Sequence, residues 1–120
     1  MSEPISFSRA ENEAIDTAFQ ALLREYLDSN HRKKDEIIQK AFNFANQAHK
    51  GIKRRSGEPY IMHPIAVARI CCTEIGLGST SICSALLHDV VEDTEYTVED
   101  IEKNFGPKVA SIVEGLTKIS

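Results

Sequence analysis

What most constrains this chain is the spacing of its apolar residues, which recur at three and four positions from one end to the other. Strand-type alternation is missing, so the reading is all-α. From Ser8 to about Ser29, the residues Ile15, Ala18, Phe19, Leu22, Leu23, Tyr26 and Leu27 share one helical face, and Ser8 with Glu11 stands in capping-box register. A second helix is expected from about Lys34 to Lys50, with Ile37, Ile38, Ala41, Phe42, Ala45 and Ala48 on one stripe and Gly51 as a left-handed stop. The polar segment GIKRRSGEPYIM, residues 51–62, then reads as an ordered, turn-rich connection.

Pro64 is expected at the first position of a third helix, 63–75, which Gly76 and Gly78 break. Ser79 or Thr80 is expected to cap a fourth, in which Ile82, Ala85, Leu86 and Val90 share an apolar face before the acidic EDTEY turn. Thr97 and Asp100 form a capping pair for a short fifth helix closed by Gly106, and Pro107 opens a sixth. No stop signal precedes Ser120, so the chain reads as a piece of a longer protein. On that expectation Val109, Ile112, Val113 and Leu116 are left as exposed apolar surface that promotes self-association.

A chain of 120 residues has room for one core, and 42% hydrophobic with 27% charged residues is a globular balance rather than a disordered one. A net charge of −4 argues against broad attachment to nucleic acid, and no apolar run approaches the ~18 residues of a membrane span. The first residues lack a leader pattern, so a cytoplasmic location without membrane contact is expected. Cys71, Cys72 and Cys83 lie on apolar helical stretches and read as reduced core thiols.

The chemistry-bearing residues stand out against this background. LLHDVVEDT puts His88 and Asp89 inside an apolar run, where an unpaired carboxylate is costly to bury and a bound cation would compensate. Neighbours on a helix are about 100° apart around its axis, close enough to share one ion, and imidazole beside carboxylate suits Mn²⁺, Fe²⁺ or Zn²⁺ rather than Ca²⁺. His63, at a helix start, is the best of the remaining histidines for a further ligand. His31 lies in a charged stretch and reads as solvated. His49 ends the second helix, where an imidazole favours the macrodipole, with a supporting role at the site left open.

Glu92 and Asp93 follow His88 and Asp89 by one turn, placed to orient or deprotonate water, or alternatively to form a solvated acidic turn. Four cations, Lys50, Lys53, Arg54 and Arg55, crowd six residues just before His63 and imply an anionic substrate such as a phosphate ester. The plainer alternative is a solvated charge run.

Taken together, KRRSGEPYIMHP, LLHDVVEDT and FGPKVASIVEGLTKIS resemble the hydrolase domain of the RelA/SpoT enzymes, within the HD phosphohydrolase superfamily. The likeness covers about residues 37–120 as a partial hydrolase domain, with 1–36 as a looser N-terminal helical extension. It implies an all-α, HD-type helical bundle that hydrolyses ppGpp and pppGpp at the 3′ position to GDP or GTP and pyrophosphate, in a parent that also synthesises them. By motif it implies one Mn²⁺ on His63, His88 and Asp89, with Glu92 and Asp93 as the acid pair of the hydrolysis. It further implies Arg54 on the guanine, and Lys53, Arg55 and Ser56 near the nucleotide and its phosphates.

The family's later Asp ligand and its neighbouring nucleotide-holding residues are not within these 120 residues, so the isolated chain is expected to be weakly active or inactive. A non-catalytic regulatory or nucleotide-binding HD module is the alternative; the Glu92–Asp93 pair argues against it for the parent protein, whereas the missing ligand argues for it in this piece. An HD enzyme of other nucleotides is disfavoured by the KRRSGEPY loop.

Overall fold

The computed structural model describes residues 7–29 and 34–119; His31 lies outside the described residues. They form six helices: α1 (Arg9–Leu27), α2 (Asp35–Ala48), α3 (Met62–Thr73), α4 (Ser79–Asp93), α5 (Val98–Phe105) and α6 (Pro107–Ile119). Among the described residues there is no strand, only an antiparallel bridge between Lys53 and Pro59 inside the 51–61 loop. The all-α expectation holds.

The capping signals hold at α1 and α5. Ser8 Oγ accepts from the Glu11 amide while Glu11 accepts from the Ser8 amide, and Thr97 with Asp100 repeats the reciprocal pair. Each box satisfies two first-turn donors that the helix itself leaves unpaired. Gly51 and Gly106 adopt positive φ, 77° and 92°, a region in which a side chain would be strained.

Two helix starts differ from expectation. α3 begins at Met62, so Pro64 occupies its third position rather than its first. The first-turn amides of a helix have no intrahelical acceptor, so proline's missing N–H is tolerated anywhere in that turn. α4 begins at Ser79 on an extended Gly78, with no side chain capping it; neither Ser79 nor Thr80 plays that part.

α4 runs through the centre, packed against α2, α3 and α6, while α1 lies across α2 and α3. Its stretch from Ile82 to Leu87 is buried throughout. Phe19 of α1 stacks on Phe42 of α2 at 3.9 Å between ring centroids, joining the first helix to the same core. Cys72 and Cys83 are buried and Cys71 half-buried, all as free thiols; burial pushes the Cys83 thiol up to about 12.

The expected apolar face of α6 is corrected. Val109 and Val113 belong to the core, because α6 turns that stripe onto α4, and Leu116 is half-buried. Of the four residues only Ile112 is exposed.

Candidate metal centre

The packing of α3 on α4 brings together three side chains that are far apart in sequence. His63 sits in the first turn of α3, and His88 and Asp89 lie near the C-terminal end of α4. Their ligand atoms all lie within 4.8 Å of one another. Both histidines are half-buried, whereas Asp89 is 7% exposed.

Local bonding decides which atoms face the common point. His88 Nδ1 lies 2.6 Å from the Ala85 carbonyl oxygen, an acceptor, so this nitrogen carries a proton and donates it along the helix. In the neutral ring Nε2 is then a bare lone pair, 3.2 Å from Asp89 Oδ2, itself a lone-pair donor. Two such atoms, with a second imidazole beside them, repel unless a positive charge stands among them. A divalent ion relieves that conflict, and the donor set of two nitrogens and one carboxylate fits a first-row transition ion rather than calcium.

Tyr60 and His49 extend the site in a way the spacing of residues did not reveal. The Tyr60 hydroxyl donates to Asp89 Oδ2 at 2.8 Å. Burial, that hydrogen bond and the nearby negative charges of Asp89 and Asp93 hold the phenol well above the ordinary tyrosine range. His49 is fully buried and lies nearly parallel to the Tyr60 ring, 5.1 Å away at 26°. Its Nδ1 is 3.2 Å from the Ala45 carbonyl. Its Nε2 lies 3.5 Å from Asp93 Oδ2 without hydrogen-bond geometry, so that buried nitrogen has no bonding partner. His49 does end α2, as its C-cap, and its ring is buried behind the site, where the supporting role left open for it lies.

Glu92 and Asp93 both occupy the exposed last turn of α4, and Asp93 points to the His49–Tyr60 side. The basic loop reaches the site through Tyr60. Lys53, Arg54, Arg55 and Ser56, with Tyr60, line an open cavity of about 530 Å³. Lys53 Nζ pairs with Glu11 Oε2 at 2.9 Å, and Arg54 with Glu58 at 3.5 Å. Lys50 is separated from the others and borders a small hollow with Phe7, Asn12 and Gln47.

The loop is ordered by its own backbone. Tyr60 N–H donates to the Ile52 carbonyl, Arg54 N–H to Glu58, and Gly57 N–H to Arg54, at 2.9, 2.9 and 2.8 Å. Gly57 makes the turn at φ 94°.

Comparison with known proteins agrees with this geometry. The family model described as "HD domain" matches residues 41–120. A probable GTP pyrophosphokinase of Mycobacterium leprae is 41% identical over 92% of this chain and 14% of its own length. A guanosine-3′,5′-bis(diphosphate) 3′-pyrophosphohydrolase of Aquifex aeolicus is 47% identical over 79% of the chain and 14% of its own length. The bifunctional (p)ppGpp synthase/hydrolase SpoT of Escherichia coli K12 is 45% identical over 82% of the chain and 13% of its own length. The chain thus spans about a seventh of the length of these relatives. With the family model covering two thirds of its residues, and histidine and aspartate donors meeting between α3 and α4, the chain belongs to the HD-domain family and is of the RelA/SpoT type within it.

Proposed function

We propose that this segment carries out Mn²⁺-dependent hydrolysis of ppGpp and pppGpp at the 3′ position, in a cytoplasmic protein that also contains a synthetase. The observation that carries the proposal is the meeting of His63, His88 and Asp89, with Tyr60 both bonded to Asp89 and lining a cavity shared with Lys53, Arg54, Arg55 and Ser56. The names of the relatives from Aquifex aeolicus and Escherichia coli support the substrate class. No helix among the described residues is long and apolar enough to cross a membrane.

In this reading His63, His88 and Asp89 hold the ion. When bound, a divalent ion supplies Lewis acidity toward a phosphoester and raises the acidity of water. The remaining work falls to the chain's own side chains. Lys53, Arg54 and Arg55 offset the charge of the two pyrophosphate groups, the arginines through paired N–H donors, and Arg54 offers a flat face to guanine. Ser56 donates a hydroxyl to the nucleotide. Asp93 and Glu92 accept the proton of the attacking water and return one to the departing 3′ oxygen. The balance is one water consumed, the bond from the 3′ oxygen to phosphorus broken, and pyrophosphate released with GDP or GTP.

Release of pyrophosphate and GDP from ppGpp should be measured with and without Mn²⁺, for this chain and for a version extended through the aspartate expected downstream. The extended version should turn over only with the metal, this chain far more slowly. Glu92→Gln combined with Asp93→Asn should lower turnover by ~10²-fold or more while leaving Mn²⁺ binding intact. Full turnover in that double variant would remove the pair from the mechanism. Saturable ppGpp binding without turnover in the extended version would favour a nucleotide-binding module instead.

A further inference from the structure

The Asp89 carboxylate is the most buried of the three donors, and a carboxylate rotates about its last torsion at little cost unless something holds it. What holds it here is a phenol: Tyr60 Oη is 2.8 Å from Asp89 Oδ2. The choice of side chain matters chemically. A lysine or arginine at this place would neutralise Asp89 and repel a cation. A tyrosine hydroxyl bonds the carboxylate and leaves its full negative charge for the ion.

Tyr60 is itself fixed from two directions. Its amide is bonded to the Ile52 carbonyl, next to the Lys53–Pro59 bridge, so the loop backbone sets where the residue starts. Its ring lies against His49, a fully buried side chain at the C-terminal cap of α2 that has no freedom to retreat. A polar ring in such a place has to be explained, since a buried nitrogen without a bond costs stability that a leucine or phenylalanine would not. The flat imidazole supplies a backing face for Tyr60 while its Nε2 points toward Asp93.

We infer that Tyr60, backed by the buried ring of His49, is a positioning residue of the metal centre whose hydroxyl fixes the orientation of the Asp89 carboxylate toward His63 and His88. This rests on the reading that His63, His88 and Asp89 hold the ion. Outer partners that orient a metal-binding side chain typically carry 10- to 100-fold in metal affinity, and Tyr60 occupies that place for Asp89.

The test is Mn²⁺ affinity of the intact chain, from titration calorimetry and from the electron paramagnetic resonance signal of free Mn²⁺. Tyr60→Phe keeps the ring and its stack on His49 and removes only the hydroxyl. Its Mn²⁺ dissociation constant should rise about 10- to 100-fold, while the melting temperature of the metal-free chain moves by only a few degrees. Tyr96→Phe, on an exposed ring away from the donors, should change neither. His49→Leu withdraws the backing face and should raise the dissociation constant roughly 3- to 10-fold, below the range for a direct outer partner because His49 acts through Tyr60; it decides the question should Tyr60→Phe fail to fold.

His88→Ala separates this inference from the one beneath it. Mn²⁺ binding that is lost in His88→Ala but unchanged in Tyr60→Phe overturns the role of Tyr60 and leaves the metal site standing. Binding that does not depend on His88 overturns the metal site, and the role of Tyr60 with it.

Discussion

The donor cluster and the basic loop lie side by side yet are built on opposite terms. Asp89 is almost wholly buried, and the helix that bears it is packed on three sides. Lys53, Arg54, Arg55 and Ser56 are all exposed, held by a few backbone bonds, a glycine turn and ion pairs to Glu11 and Glu58. The difference teaches which task tolerates freedom. Aligning three donors on one point requires atoms fixed to a fraction of an ångström, which only a packed core provides. Meeting a flexible polyanion requires charge in the right region, and long side chains in water supply that without being locked.

If the cluster borrows its precision from the core, truncating Leu86, fully buried one turn before Val90, should cost the most. Leu86→Ala is expected to lower unfolding stability by about 2–5 kcal/mol in urea denaturation. Ile52→Ala, on the exposed loop, should stay within about 0.5 kcal/mol of the parent. Equal losses would break the contrast.

A smaller effect should appear when the loop is changed instead. Arg54→Ala with Arg55→Ala is expected to weaken ppGpp binding by roughly 10- to 100-fold, in line with about 1.5–3 kcal/mol for a hydrogen bond to a charged group. Mn²⁺ affinity should not move. Raising salt should weaken ppGpp binding to the parent more than to the double variant, since exposed charges are screened. Calorimetry at two ionic strengths reads both outcomes, and a parallel loss of Mn²⁺ affinity would show that the two regions are not separable.

The smallest expected effect lies where the loop is tied to α1. The Ser8 amide, and after it Lys53, hold the Glu11 carboxyl below its ordinary value of 4.5. A carboxyl with a lower pKa folded than unfolded stabilises the fold fully above the unfolded value, and that contribution fades as pH falls through the folded one. Glu11→Gln should therefore melt slightly below the parent at pH 7, with the gap closing as pH drops below about 4.5. A gap that widened on acidification would contradict the assignment.

Much of the fold was legible because the signals are local. A Ser or Thr with a carboxylate three residues on is a capping box whatever the rest of the chain does, and both boxes are present. That His63, His88 and Asp89 belong together was legible from residue type and from family likeness, and their convergence follows from α3 packing on α4. The Tyr60–His49 stack was not legible, because it arises only when residues 51–61 double back and return Tyr60 to the end of α2. Spacing along one helix says nothing about such a return. The same blindness led Val109 and Val113 to be assigned to an open face, since an apolar stripe does not announce which neighbour covers it.

The central position of α4 has a consequence in time. An amide on an outer helix or in the 51–61 loop reaches solvent through small, frequent openings, whereas one beneath several packed neighbours is released only when the whole molecule opens. His88 and Asp89 ride on that slowest segment, so they stay in register through many fluctuations of the loop beside them. A hydrogen-exchange map of this protein would show two clocks a few ångströms apart, one fast where a nucleotide would arrive and one slow where an ion would sit.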